Sequence, residues 1–343
     1  MAVNERGNFM NKELNCNQIV FTEKGVVQYN SGVVSLDELA PDECIIENEC
    51  SIISSGTEIA RLNGLAEEST IPVFPFLPGY GSIGKIIFKG SNIKDFNIGD
   101  RVFFAGNHSS VQRFKHNQSH QWGYLFPVPA ELNSIEASLA CMIEIAITAP
   151  NVTDISIGDK VIVFGLGLIG ILTCMLYKLQ GAVVTGYDQN PTRCAQAKSL
   201  GIQTISESDL VDFSFDISVD ATGNSGAIVS CINTVRLFGQ VILLGSPRTP
   251  FQGDLTDVFS KIHMQNLTVK GAHMWQYPLN NQRGVRLSVE KIFETVFDLI
   301  LSKKIPASEI ISHIVSPQEV PQTYYDLQKT PDKFRCVIID WSK

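Results

Sequence analysis

Residues 161–170 read Val-Ile-Val-Phe-Gly-Leu-Gly-Leu-Ile-Gly, and no other stretch restricts the folding of this chain as strongly. Val161–Phe164 is an apolar run of buried-strand length, and the periodicity after it predicts a helix to about Gln180. Between them lies Gly-x-Gly-x-x-Gly. Gly165 permits the tight turn, Gly167 lets backbone approach a pyrophosphate, and Gly170 lets helix and strand pack closely. The amides of Leu168 and Ile169 then open the helix, whose N-terminus attracts phosphate. Gly181 stops that helix, "AVVTGY" supplies a second strand, and Asp188 ends it, 18 residues beyond Gly170. A carboxylate there accepts hydrogen bonds from the ribose 2′-OH of NAD and repels the 2′-phosphate of NADP. Asn190-Pro191 caps and begins the next helix, which runs to Gly201. Arg193 in that helix could reach a phosphate, which keeps NADP open as the less favoured cofactor.

A glycine motif means little without its surroundings. From residue 151 onward, apolar strand-like runs alternate with helical stretches through "VIVFG", "AVVTGYD", "FDISVDATG", "QVILLG" and "LTVKGAH". That alternation predicts a parallel sheet with crossover helices. Residues 17–150 differ: short β-type runs are broken by Gly, Pro and Asn. After about residue 275 come a helical segment, a short strand, a helix and a final strand, "FRCVIIDW". The glycine pattern also disposes of a membrane span at Val161–Tyr177, the longest uncharged run, which only just reaches spanning length.

Composition narrows the function classes. With 44 % apolar and 18 % charged residues the 343-residue chain reads as folded. Its formal net charge is −8, with no basic cluster longer than Lys303-Lys304, so nucleic acid and anionic membrane are not expected partners. Eight scattered cysteines, none in Cys-x-x-Cys, predict no disulfide framework and a reducing, cytoplasmic setting. The polar start "MAVNERGNFMNKELN" carries no apolar signal core.

With these residues in view, the chain resembles the medium-chain dehydrogenase/reductase superfamily, the zinc alcohol, sorbitol and threonine dehydrogenases. The carriers are "SSGTEIARLNG", "FLPGYGSIGKI", "IKDFNIGDRVFF", "CMIEIAITAP", "IGDKVIVFGLGLIG", "VDATGN" and "LTVKGAH". The resemblance implies an α/β fold, a Rossmann doubly wound parallel sheet inserted in a chaperonin-10-like (GroES-like) β-rich catalytic domain. Residues 1–150 would form the first part of the catalytic domain, 151–275 the NAD-binding domain, and 276–343 a return to the catalytic domain. It also places Thr222 of "VDATGN" and Gly245 closing "QVILLG" at the cofactor. His273 of "LTVKGAH" ends the last strand of that sheet, at the carboxyl edge where cofactor binds, and so is expected on the nicotinamide side or in the domain cleft. A homodimer or homotetramer is implied too.

The resemblance breaks at the metal. Zinc members bind catalytic metal through a cysteine, a histidine and a third cysteine or glutamate. Ser55 stands at the cysteine position, Tyr80 and Gly81 replace His-Glu after the proline, and Glu144 keeps the third place. Hydroxyl oxygens substitute poorly for thiolate and imidazole. No cysteine occurs between Arg101 and Trp122, where the structural zinc lobe would lie. The expectation is therefore a protein with neither zinc.

The proton once managed by the metal needs another carrier. By resemblance Thr57 matches the hydroxyl that relays the alcohol proton, and Ser55, Tyr80, Glu144 and His108 complete the candidate set. Each also has a plainer reading. Tyr80 fills the space left by zinc and its histidine, Glu144 is a paired structural carboxylate, His108 is a loop or core histidine, and Ser55 makes a local hydrogen bond. His116 and His120 are four apart but lie in a polar stretch with no acid, so they read as surface. Cys44 and Cys50 precede the turn and supply no nucleophile. The reading is a zinc-independent, NAD-dependent oxidoreductase acting on a secondary alcohol or its ketone, such as a polyol, sugar or biosynthetic intermediate. Its rivals are a zinc-free quinone or enoyl reductase and a non-catalytic NAD(H)-binding sensor.

Overall fold

The structure, a computed structural model, describes residues 13–65, 73–117 and 121–343. In chain order its strands and helices begin with β1 (Glu13–Glu23), β2 (Val26–Ser35), β3 (Glu43–Ile53), α1 (Ser55–Leu62), β4 (Ser82–Lys89), β5 (Arg101–Phe104), β6 (Val111–Lys115), β7 (Phe126–Pro127) and α2 (Ser134–Ala137). Next come α3 (Ala140–Val152), β8 (Lys160–Phe164), α4 (Leu168–Leu179), β9 (Val183–Tyr187), α5 (Pro191–Ser199), β10 (Gln203–Thr204), β11 (Phe215–Asp220), α6 (Ser225–Thr234), β12 (Val235–Leu243), α7 (Leu255–Met264) and β13 (Thr268–Gly271). The chain closes with α8 (Val289–Leu301), α9 (Ala307–Ile310), β14 (His313–Val315), α10 (Val320–Lys329) and β15 (Val337–Asp340).

Two compact units result. The first comprises the described residues up to Leu139, with Pro278–Leu301 and Ile311–Lys343; the second comprises Ala140–Tyr277 and Ser302–Ile310. The first boundary thus falls ten residues or so before the expected 150, because α3 packs along α4. The tail expected to return whole from residue 276 is divided, its stretch Ser302–Ile310 grouping with the second unit.

The second unit is a six-stranded parallel sheet ordered β10-β9-β8-β11-β12-β13. This is the doubly wound dinucleotide-binding order, with the strand sequence reversing beside β8. Its central strands are apolar on both faces, as in β8 with Val161–Phe164 all buried, because helices cover both sides. The run Val161–Tyr177 is accordingly strand, turn and helix, with no membrane span. Helix α3 is apolar nearly all round, and the stretch Ser134–Val152 has the length and hydropathy to span a bilayer, yet 72 % of it is buried inside the protein.

In the first unit, β1 and β2 form an antiparallel ribbon, and a mainly antiparallel sheet runs β14-β15-β3-β4-β5-β7 with β6 also on β3. Strand β15, from the end of the chain, pairs with β3 at Val337–Asp340 against Ile53–Cys50. Around that pairing Ile19, Phe21, Leu62, Val320, Tyr324, Leu327 and Ile339 pack into one core. This brings the C-terminal helix α10 to the start of α1.

Candidate functional site

At the carboxyl edge of the second unit, the glycine loop has the geometry its spacing demands. Gly165 has φ +91°, a left-handed conformation that suits glycine. A Cβ on Gly170 would overlap the Gly165 carbonyl oxygen, so the helix can sit this close to the loop only without a side chain. A Cβ on Gly167 would meet nothing within 4 Å. Gly167 is the N-cap of α4 and offers no capping side chain, which leaves the amides of Leu168 and Ile169 facing an open cradle.

Asp188 fixes the next contact. Its Oδ2 accepts from the Leu166 amide at 2.8 Å and its Oδ1 from the Asn190 amide at 2.8 Å. The Arg193 guanidinium lies 3.5 Å from Oδ2, engaged with the carboxylate. A cavity of about 580 Å³ opens beside it, lined by Tyr187, Asp188, Cys194, Lys198 and Ser206 among others. The loops after β11 and β12 close on the glycine loop. Asp220, buried, accepts from the Thr222 amide and hydroxyl and from the Gly223 amide. Burial pushes its carboxyl up, against those three hydrogen bonds. A Cβ on Gly165 would crowd the Thr222 methyl, and one on Gly245 would overlap the Gly223 amide, so these turns nest at backbone distance. His273 is exposed, caps the short helix Met274–Gln276 through the Trp275 amide and lies edge-on to Trp275.

The turn "SSGTE" lies in the first unit and is built around its acid. Ser54 is the N-cap of α1, and Ser55 and Thr57, both half-buried, occupy the first turn. Glu58 is buried at 1 % exposure. Its Oε1 accepts from the Ser54 amide at 3.0 Å, and its Oε2 accepts from His108 Nε2 at 3.1 Å and from the Tyr324 hydroxyl. His108 Nδ1 shares a hydrogen bond with Ser51 Oγ at 2.9 Å, and Ser51 Oγ accepts from Trp341 Nε1 at 3.0 Å. Burial alone would raise the Glu58 carboxyl, but His108, Tyr324 and the Ser54 amide outweigh it and hold it below its ordinary value. Burial, then the Glu58 charge, push the Tyr324 phenol well above its usual range.

Placed against expectation, the candidates separate. Tyr80, half-buried, donates its hydroxyl to Ser54 Oγ and meets Trp122 edge-on at 5.6 Å. His108 is fully buried with both ring nitrogens engaged, so it is a member of an internal network and not a group presented to a substrate. Glu144, on α3 of the second unit, is 2 % exposed, its Oε2 has no hydrogen-bond partner, and burial pushes its carboxyl up to about 8. The paired-carboxylate reading therefore fails for Glu144. His116 is buried, contrary to the surface expectation, with Nδ1 on the Gly123 carbonyl and its ring edge-on to Phe96; His120 lies outside the described residues. Cys44 and Cys50 are buried with their thiols pushed up to about 12. Among the described residues, no three His, Cys, Asp or Glu side chains converge as a metal-holding group.

Ser51, Ser54, Glu58, Tyr324 and Trp341 escaped the sequence reading. Glu58 was visible as the acid of the turn. Tyr324, 266 residues away, had no signal linking it to that acid.

Comparison with known proteins fits these two units. Residues 169–288 match the family described as zinc-binding dehydrogenase. A zinc-type alcohol dehydrogenase-like protein of Haemophilus influenzae is 23 % identical, over 88 % of this chain and 92 % of its own. An L-threonine 3-dehydrogenase of a Chelativorans species is 23 % identical, over 90 % of this chain and 94 % of its own. The solved galactitol-1-phosphate dehydrogenase from Escherichia coli superposes with a TM-score of 0.80 at 18 % identity, covering 94 % of this chain and 99 % of that one. The fold is that of the medium-chain alcohol dehydrogenases, a parallel dinucleotide-binding sheet with a separate antiparallel unit. The chain is similar to the zinc-type alcohol-dehydrogenase-like proteins of that class, which are oxidoreductases.

Proposed function

We propose that this protein is an NAD-dependent dehydrogenase that oxidises a secondary alcohol, or reduces its ketone, without catalytic zinc. The observation that carries the reading is the open cradle at Gly167, backed by a close helix–loop contact that only Gly170 allows. Gly165, Gly167 and the Leu168 and Ile169 amides would hold the pyrophosphate, and Asp188 the adenosine ribose. Thr222, Gly245 and His273 belong to the turns on the same carboxyl edge. The Asp188 carboxylate favours NAD over NADP, and Arg193 is engaged with that carboxylate.

When bound, the nicotinamide supplies the hydride chemistry. The chain supplies orientation and a place for the proton. Its protic groups at the altered turn are the Thr57 and Tyr80 hydroxyls, with Ser55 beside them. The family's metal does not fit the donor set: Ser55 and Tyr80 offer neutral oxygens, Tyr80 is turned to Ser54, and Glu144 is left as a single carboxyl. A hydroxyl-rich set suits a small polyol, sugar or related intermediate. The threonine, galactitol 1-phosphate and butanediol used by relatives are the first probes.

Fluorescence titration with NADH and NADPH, elemental analysis and turnover on that panel test the reading. Tight NADH binding, weaker NADPH binding, no stoichiometric zinc and chelator-resistant turnover are expected. Stoichiometric zinc or loss of activity in chelator sinks the zinc-free part. NADH binding with no turnover on any alcohol or ketone turns the protein into a nucleotide sensor.

A further inference from the structure

We propose that Glu58 is the positioning residue of the altered turn, its buried carboxylate holding the Ser54 amide and, through Ser54, aiming the Tyr80 hydroxyl. This assignment rests on the oxidoreductase reading only for the use to which Tyr80 is put.

A serine N-cap ordinarily bonds its hydroxyl to an amide in the first turn of its helix. Ser54 does not: it makes no side-chain cap hydrogen bond, and its Oγ accepts from Tyr80 instead. What keeps Ser54 in place is its backbone. Its carbonyl takes the Glu58 amide at 2.8 Å, and its own amide donates to Glu58 Oε1 at 3.0 Å. The acid thus does the capping and the hydroxyl is left over for another purpose.

A carboxylate buried this deeply is strongly destabilising unless it is fully bonded. Glu58 is: His108, Tyr324 and the Ser54 amide surround it, and Ser51 and Trp341 hold the His108 ring from behind. The same histidine carries the second arm. Its backbone amide donates to the Pro78 carbonyl at 2.8 Å, and Gly79, at φ +103°, passes so close that a Cβ would lie 2.7 Å from the His108 nitrogen. Pro78-Gly79-Tyr80 is therefore docked on His108 while its terminal hydroxyl is docked on Ser54. Both supports lead back to Glu58.

Labelling the tyrosines with ¹³C at Cζ reads this directly, without a known substrate. The Tyr80 resonance is identified by its loss in Tyr80→Phe. Ser54→Ala and Glu58→Gln should each move it the same way, and the double variant should move it no further than the larger single change. Tyr324→Phe, which keeps the carboxylate but removes one donor, should move it less, and serves if Glu58→Gln does not fold. With a turned-over alcohol from the panel above, Glu58→Gln should lower kcat about tenfold with KM and NADH affinity within about twofold. A Tyr80 resonance unmoved in Glu58→Gln and Tyr324→Phe, with a lower melting temperature, overturns the proposal and leaves Glu58 a structural carboxylate. Absence of NADH binding or turnover would instead strike the oxidoreductase reading and leave the resonance test intact.

Discussion

Glu58 and Glu144 are both buried glutamates, and burial treats them in opposite ways. Glu58 has three donors and keeps its charge; Glu144 has no partner at Oε2 and holds its proton up to about pH 8. The signs follow by linkage. Glu58, depressed on folding, contributes stability that is present above the unfolded value near 4.5 and lost as pH falls through the folded one. Glu58→Gln should therefore cost roughly 3 kcal/mol at pH 7 and much less in acid, measured by denaturant unfolding. Glu144, raised on folding, loses stability as pH climbs from about 4.5 to about 8. Glu144→Gln should gain roughly 3–5 kcal/mol over the wild type at pH 8 and little at pH 5. Equal effects at both pH values would show that Glu144 has a partner. Neither behaviour can be read from the two motifs, because each is set by what packs around the carboxyl.

The glycine loop is the element where local sequence reached furthest. Its turn, its strand and its helix all sit where spacing put them, since two of its glycines answer contacts made within about 60 residues, Gly165 with Thr222 and Gly170 with Gly165, and Gly167 faces open space. The last two glycines of the loop should part company on substitution. Gly167→Ala meets open space, so its melting temperature should hold while NADH affinity falls tenfold or more, about 1.4 kcal/mol. Gly170→Ala forces a Cβ into the Gly165 carbonyl, and the protein should lose several kcal/mol of stability along with NADH binding. Asp188→Asn keeps the shape that accepts the Leu166 amide and removes the charge. The ratio of NADPH to NADH affinity should then rise about tenfold, and an unchanged ratio would mean that Asp188 does not select the cofactor.

At the scale of the molecule, the last 33 residues complete the first unit. Strand β15 pairs with β3, and Val320, Tyr324, Leu327, Val337 and Ile339 fill the core beside α1. Ending the chain after Ile310 removes these side chains at about 1.5–3 kcal/mol each, comparable with the whole stability of a domain. Such a truncated chain should express insoluble or lack a cooperative melting transition; a soluble chain with native circular dichroism would contradict the role given to β15. The sequence by itself determined the parallel sheet and the glycine loop, because strand period and glycine spacing are properties of short segments. Only tertiary structure decided the site around "SSGTE". It brought Tyr324 and Trp341 from the end of the chain to Glu58 and His108, turned Ser54 toward Tyr80, and left Glu144 without a partner. Such pairings depend on which strands meet across the sheet and which side chains become dry together, and no local pattern encodes that.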